Sequence, residues 1–129
     1  MRRTDQRRAA VFICYQRDVT GAPVDDLIDR GVPAATSFTR ELVEGVEGHR
    51  DELDDLIEEH AIGWHLNRIA PLERAILRTA LFEILHRPDV PDEVAIDEAV
   101  ETAKLYCGAE APPFLNGILA GALERVRHA

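Results

Sequence analysis

Between Pro71 and Pro88 runs LERAILRTALFEILHR, and no other stretch limits the fold as tightly. Leu72, Ile76, Ala80 and Ile84 recur every four residues and make one helical stripe, which Leu77, Leu81 and Leu85 widen. A helix apolar over that much of its circumference has to be covered on several sides, so it belongs at the centre of a helical assembly. Pro71 suits a first helical turn, where its missing amide would have no partner anyway, and Pro88 stops the helix.

The flanking sequence supplies the helices that such a centre requires. Thr4 or Asp5 can cap a first helix running to about Asp18, and Gly21-Ala22-Pro23 breaks it. VDDLIDR reads as a short second helix ending at Gly31-Val32-Pro33. From Thr36 onward Phe38, Leu42, Val46, Leu53, Leu56 and Ile57 follow at helical spacings. Gly45 and Gly48 lie inside that stretch, which fits one long helix with a bend or two shorter ones. Trp64-His65 marks a connection. Pro91 with Asp92 and Glu93 starts another helix, its acids at the positive end of the dipole, and Gly108 reads as its C′ glycine. Pro112-Pro113 opens a last helix with Leu115, Ile118, Leu119, Ala122 and Val126 facing inward. Strand alternation, repeats and long linkers are absent, so residues 1–129 are expected to form one all-α domain of six or seven helices.

Charge is distributed unevenly. The first seventeen residues hold five arginines and one aspartate, while the whole chain carries a net charge of −9. That balance argues against a general polyanion-binding surface but permits a local basic patch, because screening confines each patch to roughly 10 Å. Arg8, Phe12 and Tyr15 follow at helical spacing, so a cation and a phenol flank the buried face. By the same geometry Arg3 and Arg7 project opposite Phe12 and are expected in solvent. Guanidinium groups grip phosphates, and exposed aromatic rings stack on unpaired bases. A basic tail that pairs with acidic helices is the competing explanation.

Other chemistries find little support. The sequence has no glycine-rich phosphate loop, no CxxC and no HExxH, so neither a cofactor nor a metal is expected. His60 and His65 are five apart and fall on different helix faces. The acidic run DELDDLIEEH reads as a solvated helix face rather than catalytic carboxylates. Cys14 and Cys107 are isolated, as reduced core thiols of a cytoplasmic protein would be. AAVFICY is too short for a signal-peptide core, and no run approaches the ~20 apolar residues of a membrane span. An enzyme is not expected.

RAILRTALFEIL, DVPDEVAIDEAVETAKLY and PFLNGIL, in that order and behind an arginine-rich first helix with ICY at Ile13–Tyr15, resemble the NusB family of bacterial transcription antitermination factors. The resemblance covers essentially the whole chain. It implies an all-α fold of two small packed helical bundles and a factor that binds single-stranded boxA RNA of ribosomal RNA leader transcripts. The implied protein partner is NusE, a small-subunit ribosomal protein, within an RNA polymerase complex containing other Nus factors. By the same resemblance Arg2, Arg3, Arg7, Arg8 and Tyr15 face RNA, Phe114 contacts a base with Asn116 in the same motif, and Glu73 faces NusE. Two alternatives have different consequences. The domain also opens an rRNA cytosine methyltransferase, for whose catalytic part a sequence ending at Ala129 has no room. A helical interaction module without RNA binding, such as a homodimer that hides its arginines, is the other.

Overall fold

The computed structural model describes residues 2–30 and 36–128. Seven α-helices run through them: α1 (Arg3–Thr20), α2 (Val24–Arg30), α3 (Ser37–Gly48), α4 (Arg50–His60), α5 (Pro71–His86), α6 (Asp92–Tyr106) and α7 (Ala111–His128). A short 3-10 turn at Leu66–Arg68 leads into α5. The expected end of the second helix at Gly31-Val32-Pro33 lies outside the described residues.

Helix α5 is the centre that its sequence demands. Every residue from Ala75 to Ile84 is buried, so the helix is covered on all sides. Helices α1 to α3 pack on one flank and α4, α6 and α7 on the other, giving two small bundles that share α5. Leu42, Leu53, Ile57, Leu77, Leu81, Leu115 and Leu119 are among the core side chains closed off from solvent.

Local chemistry accounts for the boundaries, including those the sequence reading misplaced. Gly21 ends α1 in the left-handed region (φ 75°), donating its N–H to Arg17 O at 3.0 Å. Neither Thr4 nor Asp5 caps the start of α1. Arg2 occupies that place, because Thr4 Oγ1 donates instead to Glu98 Oε1 on α6 at 2.9 Å. The stretch after Thr36 is two helices, broken at His49 (φ −118°). Gly45 is needed inside α3 because a Cβ there would lie 2.1 Å from the buried Phe82 ring. Gly108 stands at the C′ position of α6, one residue beyond the extended C-cap Cys107, but without the left-handed backbone usual there; only Gly21 and Gly63 have positive φ among the described residues. Cys14 is buried, which pushes its thiol up to about 12, whereas Cys107 is only half-buried. No helix among the described residues is long and apolar enough to cross a membrane.

Ion pairs fix the register of α1 along α5. At one end Asp18 accepts from Arg78 Nη1 at 2.8 Å and from Arg50, with Arg74 Nε 3.4 Å away. Arg78 reaches on to Asp54 of α4 at 2.7 Å, so one guanidinium joins three helices. Burial alone would raise the Asp18 carboxyl, but the hydrogen bonds from Arg50 and Arg78 outweigh it and hold the group below the usual carboxylate range.

Ile76→Ala or Leu77→Ala should each lower stability by about 2–5 kcal/mol in denaturant melts, as large-to-small changes in a sealed core do. Asp18→Asn should lower it by about 3 kcal/mol at pH 7, the low end for breaking a buried pair because Arg50 keeps part of its side chain in water. The depressed carboxyl contributes above its unfolded value near ~4 and loses that contribution as pH falls through the folded value. Melts at descending pH should therefore bring the wild-type and Asp18→Asn stabilities together in acid.

Candidate nucleic-acid interface

The N-terminal arginines have four different environments. Arg2 is the most exposed, with only a loose i, i+3 contact to Asp5 at 3.6 Å. Arg3 lies over the Phe38 ring at 4.0 Å and 3.7 Å from Asp89, half in solvent. Arg7 is buried, and its Nε donates to both carboxylate oxygens of Glu83 at 2.9 and 3.0 Å. Arg8 is half-buried and makes no ion pair or hydrogen bond among the described residues, and its Nε is shielded from water without a partner.

The expectation that Arg7 is exposed and faces RNA is therefore corrected. Arg3 and Arg7 do share one side of α1, but that side is roofed by Phe38 of α3 and Glu83 of α5. Glu83 is itself 1% exposed; burial raises its carboxyl, and the hydrogen bond from Arg7 works against that rise. A buried guanidinium held by a buried carboxylate cannot reach a phosphate without abandoning it.

Helix geometry turns Arg8 about 100° away from Arg7, onto the side that carries Phe12 and Tyr15. Phe12 is half-buried and meets Tyr106 of α6 edge to face, with ring centroids 5.0 Å apart. Tyr15 is half-buried against the core, while Tyr106 and its neighbour Leu105 stand largely in solvent. The result is an unpaired cation beside a short row of aromatic surface. Tyr106 escaped the sequence reading because a tyrosine near a helix end has no signature of its own.

A second cluster forms where α5 and α7 begin. Phe114 is half-buried, its ring 6.0 Å from Trp64 and edge to face with it. Together with Arg68, Glu73 and Glu110 these rings line an open cavity of about 300 Å³. Burial and, after it, the Glu110 charge raise the Glu73 carboxyl. Asn116 is exposed two residues after Phe114, about 200° further round α7. The two clusters adjoin at the end of α6: Tyr106 touches Phe12, and the next residue, Cys107, has its thiol raised by burial and then by the Glu73 charge. Phe12 of α1 thus meets the end of α6 at Tyr106, and Gly108 just beyond it lines the cavity with Glu73 and Phe114. Trp64 and Arg68 belong to this region too, and the spacing rules that found the helices carry no signal for them.

The NusB family profile matches residues 4–124. A transcription antitermination protein NusB of Rubrobacter xylanophilus is 43% identical over 129 residues, covering 98% of this chain and 93% of its own. The NusB of Myxococcus xanthus is 40% identical over 92% of this chain and 91% of its own. Among solved structures, T. maritima NusB superimposes with a TM-score of 0.85 at 30% identity, over 96% of this chain and 92% of that one. A structure of antitermination factors NusB and NusE in complex with dsRNA contains a chain with the same fold, at a TM-score of 0.83 and 23% identity over 95% of this chain and 96% of that one. A profile match along nearly the whole length, relatives of about its own size and a shared all-α fold agree with one another, and the chain belongs to the NusB family.

Proposed function

We propose that this protein is a transcription antitermination factor that binds boxA RNA of ribosomal RNA leader transcripts together with NusE, and so helps RNA polymerase resist premature termination within a complex of Nus factors. It works in the cytoplasm, as a binding protein rather than an enzyme. Membership of the NusB family supplies the biological setting. The structural observation that carries the RNA side is Arg8: a guanidinium with no protein partner among the described residues, on the same helix face as Phe12 and Tyr15. Such a group has its desolvation partly met before RNA arrives and offers a planar fork to a phosphate.

In this reading Arg2, Arg3 and Arg8 contact the RNA backbone, while Tyr15, Phe114 and Asn116 meet bases. Arg7 is left out, because it anchors α1 to Glu83. Glu73 presents a carboxylate to the basic ribosomal partner from the cavity that also holds Phe114, which puts the partner and the RNA on adjoining surfaces. Stacking on half-buried rings favours unpaired bases, worth about 1–3 kcal/mol each.

Titrating a single-stranded boxA oligonucleotide and its duplex, each with and without NusE, tests the proposal. Tightest binding to the single strand in the presence of NusE is expected. Absence of binding to either RNA when NusE is present would leave the interaction-module alternative. Replacing Arg3 and Arg8 together with Gln should flatten the log–log salt dependence of single-strand binding by about 1.4, since each phosphate contact contributes about 0.7. Arg7→Gln should behave differently, lowering folding stability by about 3–5 kcal/mol because Glu83 is left buried and unpaired; the protein that remains folded should keep the wild-type salt slope. Phe114→Ala should weaken RNA binding by about 1–3 kcal/mol. Its loss of stability should be smaller than the ~3–5 kcal/mol of a fully buried phenylalanine, and RNA titrations and melts on the same variant separate the two effects.

A further inference from the structure

We propose that His49, Glu52 and His86 form a binding site for a divalent transition-metal ion, with Zn²⁺ the best match. The three residues come from the break after α3, the first turn of α4 and the last turn of α5. One ligand atom from each lies within 4.8 Å of the other two. His86 Nε2 is 2.8 Å from Glu52 Oε1, and the two imidazoles overlap with centroids 4.0 Å apart. In a tetrahedral site with bonds of about 2.0–2.1 Å, ligand atoms stand roughly 3.3 Å from one another. The His86–Glu52 separation is a little shorter than that value and no two of the three ligand atoms are more than 4.8 Å apart, so side-chain rotations can close the set around an ion.

The surroundings orient the ligands as a metal site needs. His49 Nδ1 donates to Gly45 O at 2.9 Å, which in the neutral ring leaves Nε2 with the free lone pair. A histidine ligand whose second nitrogen is held by a backbone carbonyl is the usual outer-shell arrangement. Phe82 backs both rings, 5.6 Å from His49 and 5.4 Å from His86, and reaches that position only because residue 45 has no side chain. His49 and Glu52 also border an open depression of about 420 Å³, so their side of the cluster is reached by water. Two imidazoles and one carboxylate select zinc-like ions over Mg²⁺ or Ca²⁺, which prefer all-oxygen sets. Such an ion would tie the α3–α4 break to the end of α5. His60 and His65, the pair that stands out in the sequence, are not brought together in this way: His60 packs beside Gly121 on α7 and donates from Nδ1 to Leu56 O of its own turn at 2.9 Å, and His65 is exposed.

Calorimetric titration of the untagged, metal-stripped chain with ZnCl₂ tests the site, alongside the visible spectrum of the Co²⁺-loaded protein. One equivalent of Zn²⁺ should bind, Co²⁺ should give the intense bands of four-coordinate geometry, and excess Mg²⁺ should not compete. His49→Gln and His86→Gln should each weaken Zn²⁺ binding by about tenfold or more, with His128→Gln, remote from the cluster, unchanged. His86 is exposed, so His86→Gln keeps its helical circular dichroism and decides the matter even if His49→Gln fails to fold. No saturable uptake of Zn²⁺, equal competition by Mg²⁺, or affinities within about twofold of wild type for the folded histidine variants would each overturn the proposal and leave a hydrogen-bonded histidine cluster.

Discussion

The buried pair between Arg7 and Glu83 sets how the first helix lies on the central one, and most of the functional surface follows from that. Glu83 is inaccessible to water and Arg7 nearly so. Taking both groups out of water offsets much of their mutual attraction, so the pair contributes specificity of packing more than net stability. Its counterpart at the far end, where Asp18 meets Arg50, Arg74 and Arg78, fixes the same two helices a second time. With both ends held, α1 cannot rotate about its axis. Arg8, Phe12 and Tyr15 are therefore presented on one defined side.

Arginine serves two purposes in this chain, which has fourteen arginines and a single lysine. Inside, the planar fork is used for bridging: Arg78 bonds Asp54 with Nε and Asp18 with Nη1, a geometry that the point charge of lysine would not reproduce. Arg127 does similar work at the other end of the fold, donating to Asp92 and to the Ile84 carbonyl near the end of α5. Around the buried Phe38 ring gather the buried Arg7 and the more exposed Arg3 and Arg87, and Glu83, Asp89 and Glu41 take up their charges. Much of the positive charge in the N-terminal region is thus already neutralised. Arg8 stands apart from this pattern, which is why it carries more weight in the proposed RNA contact than the number of arginines near it.

The proposed RNA and partner contacts meet at the C-terminal end of α6. That helix end touches Phe12 of α1 through Tyr106, and Gly108 just beyond it lines the same cavity as Glu73 of α5. A composite surface of this kind depends on both bundles being docked. Damage to the core of α5 would separate its parts even where no contact residue is altered. The histidine cluster lies at the opposite end of α5 from Glu73, and an ion there would act on the docking of α3 and α4 rather than on the RNA contacts themselves.

Helical periodicity is a local property, and the sequence by itself determined what depends on it. The all-α class, the central place of the 71–86 helix, the second helix at VDDLIDR and the family motifs were all legible, because each is written within one or two turns of chain. Periodicity says which residues share a face but not which faces are covered. Arg7 read as exposed because its partner lies on another helix, hidden as a lone acid in the apolar run FEIL. Thr4 or Asp5 reads as a cap although Thr4 bonds α6, and the C′ glycine Gly108 follows an extended residue without turning left-handed itself. The shared border of Glu73, Trp64 and Phe114, and the meeting of His49, Glu52 and His86, were decided by the tertiary structure alone. Packing brings those side chains together from separate helices and connections, and contacts between segments remote in sequence leave no spacing to read.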